Sequence, residues 1–116
     1  MQTELKIERK HLNKIITGEK TEDYRSLSTY HFDKFCKKRT EGEHKGLYFV
    51  EGPEDYKPIR HIKFMAGYSK KSPFCICEIE MIRIDKFVNF IPEGFKKGYE
   101  CFTIYIKKVV EVGNIE

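Results

Sequence analysis

Four polar side chains of different chemistry fall close together in the chain: Lys20, Thr21, Asp23 and Arg25. On an extended strand, residues two apart share a face, so Thr21, Asp23 and Arg25 project together. Lys20 stands at the junction of turn and strand, where the strand period does not fix its direction. A hydroxyl, a carboxylate, a guanidinium and an ammonium are therefore available within one short segment. Arg offers a rigid fork of donors to a phosphate or a base edge, and Lys a mobile point charge. Tyr24, Tyr30 and Tyr68 add ring faces on which a base can stack, worth about 1–3 kcal/mol for each base held. This inventory suits a nucleotide or RNA. The same residues also have a plainer use. Asp23 and Arg25 would satisfy each other where an unpaired buried charge would be costly, and the tyrosines would pack.

Catalysis is the second chemistry to consider. Lys20 beside Asp23 would act as base and acid on a phosphodiester if burial lowered the lysine pKa. His11, His31, His44 and His61 are scattered and form no catalytic spacing with another group. The cysteines Cys36, Cys75, Cys77 and Cys101 form no CxxC pair, so they are expected as reduced thiols rather than as a disulfide framework. Cys75 and Cys77 point to one face of a strand, but no histidine or second close pair completes zinc spacing. Core packing is the expectation for both, with no metal and no cofactor.

The elements that would position these groups follow from hydrophobic periodicity. Leu5–Ile7 alternates as a short strand does. Leu12, Ile15 and Ile16 share one helix face, and Gly18 supplies the left-handed residue that ends a helix. Lys20–Leu27 then returns to the extended state. Ser28 is the predicted N-cap of a second helix reaching about Arg39, with Phe32, Phe35 and Cys36 as its buried stripe. Glu41–Lys45 reads as loop and Leu47–Val50 as a short strand. Ile59–Ala66 alternates as a strand, Gly67–Pro73 is a turn, and Phe74–Phe87 is a long extended segment. Within that segment Cys75, Cys77, Ile79 and Met81 have one parity, and Ile82 and Ile84 the other. Such a switch predicts a bulge or sharp bend. Asn89–Glu100 reads as loop, and the last strand runs from Phe102 through Ile106 to Val112. The expected fold is α+β: a small mixed, mostly antiparallel β-barrel or curled sheet of five or six strands, with two short helices near the N-terminus. No linker or repeat divides the chain, so residues 1–116 are expected to form one domain.

Bulk properties narrow the class. The 116 residues are 40% apolar with nine Phe and seven Tyr, too hydrophobic for a disordered chain. No apolar run approaches the roughly 20 residues of a membrane span, and Met1-Gln2-Thr3-Glu4 lacks a signal-peptide pattern. A soluble, cytoplasmic protein without a membrane partner is expected. The 22 basic residues face 18 acidic ones, for a net charge of +4. That total argues for no particular partner, since clustering on one surface matters more than the sum.

The segment Ile15-Ile16-Thr17-Gly18-Glu19-Lys20-Thr21-Glu22-Asp23-Tyr24-Arg25 resembles the signature of ASCH domains. In that family a helix ending in Gly-x-Lys-Thr runs into a strand carrying an acidic residue, an aromatic or apolar residue, and Arg. Tyr30, the run Phe64-Met65-Ala66-Gly67-Tyr68, and Phe102–Val110 resemble further features of one branch, in the same order along the chain. The resemblance implies a PUA-like barrel and an RNA-related role. It implies a polar groove at Gly18–Arg25, lined by Lys20, Thr21, Asp23, Arg25, Tyr24, Tyr30 and Tyr68. Hydrolases of the family that deacylate modified cytidine use the motif lysine, a Thr three residues later and a downstream Glu. Here Lys20 is present, Asp23 stands at the Thr position and the Glu has no counterpart. The resemblance therefore implies a binding module first, with RNA or modified-nucleoside hydrolysis through Lys20 and Asp23, or a protein-interaction adaptor, as alternatives.

Overall fold

Leu12 and Ile15 fall on one side of a helix and both are buried, which accounts for α1 (Arg9–Ile16) as an amphipathic element. Gly18, at φ +82°, ends it, and the backbone N–H of Lys20 reaches back to the carbonyl of Lys14. The remaining elements of this computed structural model are β1 (Thr3–Lys6), β2 (Glu22–Arg25), α2 (Thr29–Phe35), β3 (His61–Met65), β4 (Phe74–Lys86) and β5 (Glu100–Gly113). The structure describes residues 3–87, 91–92 and 94–115. Of the loop expected over Asn89–Glu100, Asn89, Phe90 and Glu93 lie outside the described residues, as do Met1 and Gln2 at the start.

The strands form a five-stranded sheet in the order β1-β3-β4-β5-β2. β1 pairs with β3 in parallel and β3 with β4 antiparallel, so the sheet is mixed. The protein is thus a small α+β fold with two helices preceding most of the sheet.

The chain forms two compact units. The first comprises Met1–Asp23, Ile59–Met81 and Ile104–Glu116. Its strands alternate except at the end of β3: Leu5, Ile62, Phe64, Cys75 and Cys77 are fully or almost fully buried, and so is Met65 on the other face. The register places them on one face, because Leu5 faces Phe64, Phe64 faces Cys75, and Ile62 faces Cys77. On the other face of the same strands stand Glu4, Lys6, Lys63, Met65, Phe74 and Ile76. In β4 the alternation continues to Ile79; Glu80 and Met81 are then both exposed, and Ile82 and Ile84 are half-buried. The expected change of parity is therefore visible at Glu80–Met81.

The second unit comprises Tyr24–Pro58 and Ile82–Thr103. Ser28 caps α2 by accepting the N–H of His31, as expected, but the helix stops at Phe35 instead of running to Arg39. The chain turns extended at Cys36 because Lys37 N–H bonds the carbonyl of Asp55 and Lys57 N–H bonds that of Phe35. Phe35 packs edge-on against Phe102, as does Phe32.

The segment between those two ties is a fastened loop, and the strand expected at Leu47–Val50 does not form. Its backbone is committed elsewhere: Leu47 accepts from Arg39 N–H, and the Phe49 carbonyl from the Arg39 guanidinium. The buried carboxylate of Asp55 takes the N–H groups of Glu51 and Gly52 as well as Arg39 Nη2 at 3.2 Å. Those backbone donors, ahead of Arg39, hold its pKa below the usual carboxylate range.

Candidate functional site

The best-defined polar constellation of the first unit begins at the end of α1. The bond from Lys20 N–H to Lys14 closes the turn, and the Thr21 carbonyl accepts from the N–H of Ile106 in β5. Lys20 is thereby fixed at both sides of its backbone before the strand starts. Its ammonium lies 3.5 Å from Oδ1 of Asp23, with the lysine side chain 19% exposed and the carboxylate side chain 4% exposed. Ion pairs this sheltered must satisfy their charges locally, so the pair orients Lys20 as much as it neutralises it. Thr21 precedes the strand and is exposed, whereas Asp23 is buried.

Asp23 belongs to the core side of this unit. Its charge acts on the thiol of Cys77, whose pKa is raised chiefly by the hydrogen bond with Cys75, then by burial, and to a smaller extent by Asp23. Cys75 and Cys77 lie with their sulfurs 3.7 Å apart, and both are fully buried, as the strand period requires. All four cysteines are free and buried. Among the described residues no group of three or more His, Cys, Asp or Glu is placed to hold a metal ion.

Tyr68 stands elsewhere in the first unit. It is 88% exposed, in the turn between β3 and β4, and its ring lies beneath the ammonium of Lys6 at 4.9 Å. Lys6 also contacts Met65, its register partner, so this lysine covers the face of the sheet opposite Cys75 and Cys77. Tyr68 and Asp23 therefore attend opposite faces of the sheet.

The other expected residues lie in the second unit. Tyr24 is half-buried and meets Phe87 and Phe95 edge-on, with ring centroids 5.4 and 6.5 Å away. That is a packing geometry. Arg25 is half-buried at the end of β2. Tyr30 is exposed, with the Lys34 ammonium 5.0 Å from its ring centre. The structure thus joins Lys20 with Asp23, gives Tyr24 to an aromatic cluster, and leaves Tyr30 and Tyr68 as exposed rings, each with a lysine over it.

Lys6, Lys63 and Phe74 are additions that the sequence reading did not single out. The Lys63 ammonium lies 4.4 Å from the centre of the Phe74 ring. The available signal was the polar parity of β1 and β3, where Lys6 and Lys63 alternate with buried residues. It gains meaning only once the parallel register of β1 with β3 puts both lysines on one face.

No helix among the described residues is long and apolar enough to cross a membrane. Comparison with protein-family models, curated proteins and solved structures gives no match.

Proposed function

We propose that this chain is a nucleotide- or RNA-binding module of the ASCH type, built on a PUA-like variant of the α+β fold, with Lys20–Arg25 as its ligand-contacting segment. The observation that carries the reading is the held position of Lys20. A turn fastened on both sides aims an ammonium beside a sheltered carboxylate, with the exposed hydroxyl of Thr21 next to it. Ammonium, hydroxyl and the guanidinium of Arg25 are donors to phosphate and base edges, and Asp23 is an acceptor for base or ribose donors.

The burial of the Asp23 carboxylate favours a second, structural part for that residue: it anchors Lys20 and stabilises the fold. The contacts to ligand then fall to Lys20, Thr21 and Arg25.

The test is a fluorescence titration of short single-stranded RNAs and free nucleotides against wild type, Lys20→Ala and Arg25→Ala, each first verified as folded. Saturable binding that weakens steeply with salt, and that the folded variants lose, is the expected result. Binding undiminished in both variants would remove this segment from the site.

A further inference from the structure

Tyr68 is an apolar ring that the fold holds out in solvent at the cost of leaving it unburied, and its turn is built to keep it there. Ser72 Oγ accepts the N–H of Ser69, and Ser69 Oγ accepts that of Lys71. The side-chain amide of Asn114 donates to the carbonyls of Lys70 and Ser72, clamping the turn to the end of β5. Gly67 adopts φ +142°, and a Cβ there would collide with Ser72 Oγ, so the bend accepts only glycine. A fastened turn that exposes 88% of a tyrosine has no packing purpose for it.

The charges next to the ring in space and in sequence are cationic. Lys6 lies over it, Lys70 and Lys71 follow in the same turn, and Gly67–Pro73 contains no acidic residue. On the adjoining sheet face Lys63 covers Phe74. The acidic groups on this face include Glu4, beside Lys63 in the register, Glu78, which is paired with Lys107 at 3.5 Å, and the exposed Glu80 two residues further along β4. Four lysines, Lys6, Lys63, Lys70 and Lys71, therefore accompany two aromatic rings, and the lysines outnumber the acidic groups of the same face. Rings interleaved with cations on one side of a sheet match a chain of unstacked bases with a phosphate between each: the rings take π-faces and the ammonium groups take the backbone. A duplex, whose bases are already stacked, does not present those faces.

We infer that the open face of β1–β3–β4, led by Tyr68 with Lys6, Lys63, Lys70 and Lys71, is a stacking platform for single-stranded nucleic acid, separate from the Lys20 segment. A base lies on Tyr68 and its flanking phosphates meet Lys70, Lys71 and Lys6. This extends the nucleic-acid reading above from a nucleotide contact to a strand contact, and it rests on that reading.

The test is an anisotropy titration of short labelled oligo(U) RNA and oligo(dT) with wild type, Tyr68→Ala, Tyr68→Phe, Lys20→Ala and the double variant Lys70→Ala/Lys71→Ala, each first verified as folded. Tyr68→Ala is expected to weaken binding about tenfold, and Tyr68→Phe to bind as wild type. The double lysine variant should reduce the slope of log affinity against log salt by about 1.4, the share of two single-strand phosphates. Wild-type affinity in Tyr68→Ala, with loss in Lys20→Ala, would overturn the platform and leave the Lys20 reading standing. Absence of binding by the wild type at low salt would overturn both. Binding of the strand through Tyr68 with Lys20→Ala unaffected would uphold the platform alone.

Discussion

The two faces of β1–β3–β4 are made from the same alternating residues and put to opposite uses. Leu5, Ile62, Phe64, Cys75 and Cys77 fill one face, where nothing is exposed, and the carboxylate of Asp23 attends that side. Lys6, Lys63 and Phe74 occupy the other with the buried Met65, and there each lysine covers an aromatic ring, Tyr68 or Phe74. Both faces carry a lysine tied to a neighbour, yet the ties differ. Lys20 answers a buried charge, that of Asp23. Lys6 lies over an exposed ring. Residue type therefore does not distinguish the two lysines; the burial of the group each one meets does.

That contrast can be broken by substitution. Phe64→Ala, on the filled face, should lower the unfolding free energy by about 3–5 kcal/mol, measured by urea denaturation. Asp23→Ala should cost about 2 kcal/mol, the range for a charge-assisted hydrogen bond at a sheltered site, and Asp23→Asn less. Phe74→Ala, on the open face, should cost about 1 kcal/mol, since part of the ring already meets water. Tyr68→Ala should stay within about 0.5 kcal/mol of wild type. Equal losses for Phe64→Ala and Phe74→Ala would erase the distinction between the faces.

Buried thiols give a pH test of the same principle in the second unit. Burial, reinforced by the charge of Asp55, pushes the Cys36 thiol up to about 11 from an ordinary value near 9. The folded state holds this proton more tightly than the unfolded chain does. The contribution is fully present below pH 9 and is lost as pH rises from 9 towards 11. Urea midpoints should fall across that window, and Cys36→Ser should flatten the part of the decline that belongs to this thiol.

Much of the first unit was legible because its signals are local. The Leu12/Ile15 stripe with Gly18 defined α1, the alternation about Phe64 defined β3, and the parity change after Ile79 appeared as two consecutive exposed residues. Ser28 announced the start of α2, but its end was not legible. Lys37 and Arg39 are good helix formers; ties to Asp55 and Leu47, far along the chain, hold that stretch extended. The strand expected at Leu47–Val50 was lost for the same reason. The Arg39–Asp55 contact closes a long loop and leaves no periodic trace. At the candidate site, the polar residues of Lys20–Arg25 were identifiable by type. The partner of Asp23, shown to include Lys20, depended on how the turn after Gly18 closes. The Lys6–Tyr68 pair needed the β1–β3 register, which sequence spacing does not carry.

The most direct test of nucleic-acid recognition by this chain is an amide chemical-shift titration of the wild type with a short single-stranded RNA at low salt. Saturable shifts are expected at Lys20–Arg25 and at Lys63–Ser72, with the amides of Leu12 and Cys77 unmoved. A spectrum in which neither segment responds up to saturating RNA would contradict that recognition.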